Sequence, residues 1–212
     1  MNITWYGQAC FKIEAKIKND EVTIVTYPFD PDKTGLKLPR TITADIVLKN
    51  GEDVKYPILT KDGGKPFTIA SPGEYEVKGI FIYAIPLPKH GDKSEHIFWI
   101  EAEEVVLVHP GPLDHLPGEA ELQKIEGLDV LFTPVGGDGV LDDKKAAELA
   151  SELEPRIVIP MLYKLPDLKG KSASAEPFLK AVGRKSEPLP KLKMTRKDLP
   201  SDEMRVVVLE KT

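Results

Sequence analysis

Residues 128–162, LDVLFTPVGGDGVLDDKKAAELASELEPRIVIPML, read as strand, glycine loop, helix and strand. LDVLFTPV and RIVIPML are short, almost wholly apolar and rich in β-branched residues, as buried strands are. Between them Ala146, Leu149, Ala150 and Leu153 recur at i, i+3, i+4 and i+7, which draws one apolar stripe along a helix. Asp142 and Asp143 suit its N-terminus, where a negative group meets the positive end of the dipole, and Pro155 ends it. Outward from this unit, GEAELQKIEG (118–127) and SAEPFLKAVG (174–183) are short helices closed by Gly127 and Gly183, and MRVVVLE (204–210) is a last strand.

Upstream the rhythm is all strand. ITWY, ACFKIEAKI, EVTIVTY, ADIVL, EYEVKGIFIYAI, EHIFWIEA and EVVLVH are β-branched or aromatic segments, separated by turn chemistry at 28–32, 49–53, 61–66 and 71–73. This half is expected to be an antiparallel meander. Strands in both halves with helices outside predict a layered α/β or α+β sandwich, and no composition shift divides 1–212, so one domain is expected.

With 212 residues, 41% hydrophobic and 30% charged, the chain can bury a real core, which excludes disordered and fibrous classes. One cysteine and four histidines exclude an intrachain disulfide framework and leave little material for metal sites. No run reaches the roughly 18 to 20 apolar residues of a membrane helix, and the opening residues lack a signal-peptide layout, so a cytoplasmic protein without a membrane partner is expected. A net charge of −5 argues against nucleic acid as a partner. The stretch 180–197 nonetheless holds seven basic residues against Glu187. It reads as a solvated loop and an edge strand guarded by Lys191 and Lys193, or alternatively as an anion patch. Cys10, between Ala9 and Phe11, reads as an inert core thiol. No G-x-S-x-G elbow or phosphate loop is present, and Gly136, Gly137 and Gly139 read as a structural loop.

In order, WYGQACFKIE, PFDPDKTGLKLP, ADIVL, PGEYEVKGI, the H-x-G-x-L-x-H of 109–115, VLFTPVGG, LDDKKAAEL, RIVIPMLY and RKDLPSDEMRVVVLE make a pattern. It resembles the metallo-β-lactamase-fold hydrolases, in the subgroup related to L-ascorbate-6-phosphate lactonases. The resemblance covers nearly the whole chain. It implies an αββα four-layer sandwich with zinc at the edge between two sheets, where bound water is activated to attack an ester or phosphodiester. Its ligands come from an H-x-H-x-D-H loop, a later His, a G-D pair and a final His.

Carried over residue by residue, those positions become Gly51, Asp53, Lys55 and Tyr56 in the loop, Pro112 after Gly111 in place of the G-D aspartate, and Leu162 for the last His. Tyr27 replaces a supporting acidic residue, Gln8 stands where a His often follows the first strand, and His90 falls near the middle His. Asp53 and His90 alone could bind a metal there, so no zinc or other cofactor is expected. Lys55 is expected to replace part of the cation's charge or else to face solvent. The resemblance with its changed ligands implies a non-catalytic binding or assembly protein, self-associating or partnering an active paralogue, its small-molecule ligand unspecified. Alternatives are a metal-dependent hydrolase using His90, His109, Asp114 or His115, and a nucleic-acid binder.

Overall fold

In the computed structural model the residues described are 1–51, 54, 56–88, 95–186 and 188–212. β1 (Asn2–Gly7), β2 (Cys10–Ile17) and β3 (Asp20–Thr26) form the expected antiparallel meander, with Ile3 opposite Ile13 and Ile13 opposite Ile24. After β3 the expectation fails. The chain makes the one-turn helix α1 (Pro31–Thr34), then β4 (Ile42–Thr43), and returns as β5 (Ile46–Leu48) parallel to β3, not antiparallel. The cause is the length of 28–45: a two-residue hairpin forces antiparallel pairing, whereas a dozen or more residues allow a crossover. β6 (Ile58–Leu59) pairs with β4 in a separate ribbon, and β7 (Phe67–Ile69) adds parallel to β5.

The second sheet begins with β8 (Gly73–Val77) and β9 (Ile80–Pro86), a hairpin whose turn residues Lys78 and Gly79 both have positive φ, 53° and 79°. That is the twist a tight hairpin needs. β10 (His96–Ala102) and β11 (Val105–His109) continue it antiparallel. Then come α2 (Glu119–Leu122), β12 (Val130–Pro134), α3 (Asp143–Leu153), β13 (Ile157–Met161), α4 (Glu176–Ala181), β14 (Leu192–Lys193) and β15 (Arg205–Val206). β11, β12, β13 and β15 are parallel neighbours. The strand orders are β14-β1-β2-β3-β5-β7 and β15-β13-β12-β11-β10-β9-β8. α3 buries the stripe read from its sequence, its N-cap Asp142 accepts from the Lys145 amide at 2.9 Å, and Glu154 closes it in the left-handed region just before Pro155.

The sheets face each other across a core in which Phe11 meets Phe132 at 4.6 Å, and Trp5, Ile13, Phe98 and Ile100 are fully enclosed. The outer layers are unequal. α3 and α4 serve the second sheet, while the outside of the first, lined by Tyr6, Cys10, Val25 and Val47, is covered by Phe29, Leu36 and Ile42 from an irregular segment. Pro28, Pro31 and Pro39 keep that segment from a longer helix. The sandwich is the one expected, with one helical layer reduced to a single turn. MRVVVLE was expected as one strand and is shorter: Val206 and the Val207 amide pair along Val158, after which Leu209 bridges Leu189 and Lys211 bridges Trp5 of the other sheet. Among the described residues no helix is long and apolar enough to cross a membrane.

Candidate functional site

The carboxyl ends of β3, β5, β11 and β13 approach one edge of the sandwich, the place where α/β sheets commonly bind ligands. His109 closes β11 and is completely buried. Its Nδ1 accepts from the Gly111 amide at 3.1 Å, so the proton resides on Nε2, which donates to the Ala9 carbonyl at 3.0 Å. The Thr26 hydroxyl, 3.3 Å from Nε2, donates to the same carbonyl at 2.8 Å. The imidazole is stacked between Tyr27 at 4.8 Å and Phe132 at 5.0 Å. Burial pushes its pKa down to about 3, against the raising effect of its bonds to backbone. Both nitrogens are therefore engaged inside the protein, and His109 has no lone pair to offer.

Tyr27, immediately after β3, is held at φ 38°, and its amide donates to the Leu48 carbonyl at 2.7 Å. A left-handed aromatic residue is strained, and such strain concentrates at functional sites. Its ring meets Phe98 edge-on, and its hydroxyl donates to the His96 carbonyl at 3.4 Å. Burial first, and the charge of Glu95 second, push the phenol well above its usual pKa. The ring fills the space beside Gly111, where an added Cβ would lie 2.5 Å from Tyr27 Oη and 2.6 Å from Cζ. Gly111→Ala is thus expected to destabilise the fold by about 1–3 kcal/mol, the usual cost of overpacking. Adding Tyr27→Ala should return part of that loss. A urea-denaturation double-mutant cycle with no coupling between the two would contradict the overlap.

His96, which opens β10, is 2% exposed and was not singled out from the sequence, where EHIFWIEA reads only as a strand. Its carbonyl also accepts from Asn50 Nδ2 at 3.3 Å, and its ring stands edge-on to Phe98 at 4.7 Å. Burial lowers its pKa to about 4, opposed by a bond to the Lys49 backbone. Among the described residues its Nε2, together with Asn50 Oδ1 and Gln8 Nε2, is buried without a hydrogen-bond partner. The only sequence signal is a histidine that follows Gly-Asp-Lys-Ser-Glu and opens an apolar strand segment.

Among the described residues, the other expected positions do not converge on a donor cluster. Leu162 follows β13 at φ 58°, and its carbonyl lies 2.0 Å from where a Gly136 Cβ would be, so Gly136 must stay bare. Tyr56 turns toward the outer cluster and donates its hydroxyl to the Pro39 carbonyl. Gly51 is exposed, and Pro112 carries no side-chain donor. Asp114 and His115 pair with each other at 2.6 Å, half-exposed. The cluster of His109, Asp114 and His115 that the sequence allowed does not form, because His109 is turned into the core. Among the described residues no three His, Cys, Asp or Glu side chains are placed to hold a metal. Cys10 is buried, and burial pushes its thiol far above its usual pKa. Asp53, Lys55 and His90 lie outside the described residues.

The sequence pattern of the β-lactamase superfamily domain matches residues 2–162. The chain belongs to the metallo-β-lactamase superfamily. A superfamily structure from Thermotoga maritima, described as a candidate Zn-dependent hydrolase, is 31% identical, covers 98% of both chains and superposes with a TM-score of 0.80. A UPF0173 protein of Pyrococcus furiosus is 26% identical, covering 77% of this chain and 83% of its own. A candidate metal-dependent hydrolase from Parabacteroides distasonis, 15% identical over 99% of this chain and 92% of its own with a TM-score of 0.59, shares the fold. In this superfamily member, Tyr27 and Leu162, two of the positions that the resemblance ties to the metal, are both left-handed non-glycine residues.

Proposed function

We propose that this superfamily member is metal-free, a binding or assembly protein whose former hydrolytic site is filled by its own side chains. The observation that carries this reading is the Tyr27 ring packed against Gly111 and stacked on His109, in the space beside the lost G-D carboxylate. The chemistry of the remaining donors agrees. Zinc needs three or four nitrogen, sulfur or oxygen ligands, and Gly51, Pro112 and Leu162 supply none from their side chains, while Tyr56 is engaged elsewhere. The described residues therefore do not fit zinc, and no hydrolytic step is assigned through it. Partners consistent with the reading are a second copy or an active paralogue.

The rival is a metal-dependent hydrolase, the activity named for the Thermotoga relative. Elemental analysis after incubation with zinc and gel filtration separates the two. The expected result is far less than one zinc per chain. One or two tightly held equivalents, released by a chelator together with phosphodiester or lactone hydrolysis, would overturn the proposal.

A further inference from the structure

The outer face of the second sheet carries a patch that the cleft does not use. In antiparallel strands, directly opposed side chains share a face. The register of β8, β9 and β10 sets Glu76, Phe81 and Glu101 in one row and Glu74, Tyr83 and Trp99 in the next. The alternate residues Ile80, Ile82 and Ala84 point into the core. Phe81 is 42% exposed between two carboxylates, and Tyr83 meets Trp99 edge-on at 5.0 Å. Glu74, Glu76 and Glu101 make no ion pair with a described residue, whereas the nearby Lys78 is drawn to Asp45 and Lys61 to Glu21. An aromatic ring bracketed by free carboxylates suits a lysine, whose methylene stem lies on the ring while its ammonium reaches the acids.

This same chain presents such lysines at its other end. β8 is the last strand of the second sheet, while β14 and β15 end the two sheets on the opposite side. There Lys180, Lys185, Lys191, Lys193 and Lys197 are exposed and form no ion pair with a described residue, while Arg184 is paired with Glu203 and Arg196 with Asp129. Lys191 and Lys193 flank buried Leu192, two residues apart, as Glu74 and Glu76 are on β8. Extended chain spaces such pairs by about 6.6 Å, so the two charged pairs match in pitch and are opposite in sign.

We propose that the acidic aromatic face of one copy binds the lysine-bearing edge of a second copy, head to tail. Because two different surfaces meet, the contact generates rings or open chains instead of a symmetric dimer. The inference rests on the assembly half of the functional reading. Sedimentation velocity of the full chain is expected to show a mass that rises with concentration at low salt and falls when salt screens the charges. Glu74→Lys with Glu76→Lys should give a monomer, as should Lys191→Glu with Lys193→Glu, each with an unchanged circular dichroism spectrum. Mixed together, the two variants should associate again, since each retains the face the other lacks and the two reversed faces are themselves of opposite charge. A wild-type chain that stays monomeric at every concentration and salt, or a mixture that stays monomeric, overturns the proposal. Zinc measured on the same samples keeps the two readings apart: a zinc-free monomer removes this one, and zinc in a self-associating chain removes the other.

Discussion

A chain ending at Pro200 should be unable to fold. The residues removed include Val206, Val207 and Leu209, exposed by 5%, 1% and 2% in the full protein, and Val208 at the edge of burial. Burying one such side chain is worth about 1.5–3 kcal/mol, so their loss approaches the roughly 5–15 kcal/mol by which a whole domain is stable. Hydrogen bonds are lost as well. The Val207 amide donates to Val158 at 2.9 Å, Glu210 to Leu189 at 2.8 Å and Thr212 to Trp5 at 2.9 Å, so the segment ties β13 to β1 across the sandwich. Without it β13 becomes an open apolar edge, which invites aggregation. Insoluble expression, or a soluble product lacking a cooperative thermal transition, is the expected result. A truncated chain with the native near-ultraviolet spectrum and an unchanged melting temperature would show that the tail is dispensable.

The same tail shows what a sequence conveys. Four successive apolar residues announce burial on both sides, and that is correct, but nothing local says that the chain will change sheets midway. The pairing of Leu209 with Leu189 and of Lys211 with Trp5 is set by tertiary packing. α3 was legible because its apolar stripe, its acidic N-terminus at Asp142 and Asp143 and its Pro155 stop are all local. The parallel placement of β5 was not, because strand direction depends on the route of the preceding connection and not on the strand's own three residues.

In the site, legibility divided along similar lines. Aligned short motifs pointed to Tyr27, Pro112 and Leu162, but a motif cannot say that the Tyr27 ring turns onto His109. His109 was read within a loop cluster with Asp114 and His115, whereas it ends a buried strand and faces inward. His96 carried no motif at all, and its importance comes from burial and from the carbonyl contacts of Tyr27 and Asn50.

Those two buried histidines should make the protein sensitive to mild acid. Burial lowers His109 to about 3 and His96 to about 4, whereas in the unfolded chain both titrate near 6.5. Below pH 6.5 the unfolded chain therefore takes up protons that the native chain refuses, and stability must fall as pH falls. The loss begins near 6.5 and continues until the native groups themselves titrate, near 4 for His96 and 3 for His109. Between pH 7 and pH 5, above the range in which carboxylates contribute strongly, each histidine should remove about 2 kcal/mol. The urea midpoint is then expected to drop across that interval. His109→Gln is the informative variant, since an amide can still accept from Gly111 and donate to Ala9 while carrying no titratable proton. Together with His96→Gln it should leave the midpoint nearly flat from pH 7 to pH 5, whatever it does to the absolute stability. A wild-type midpoint that is already flat across the interval would mean that these imidazoles are hydrated in solution, and the dry, protein-filled site inferred around Tyr27 would fail with it.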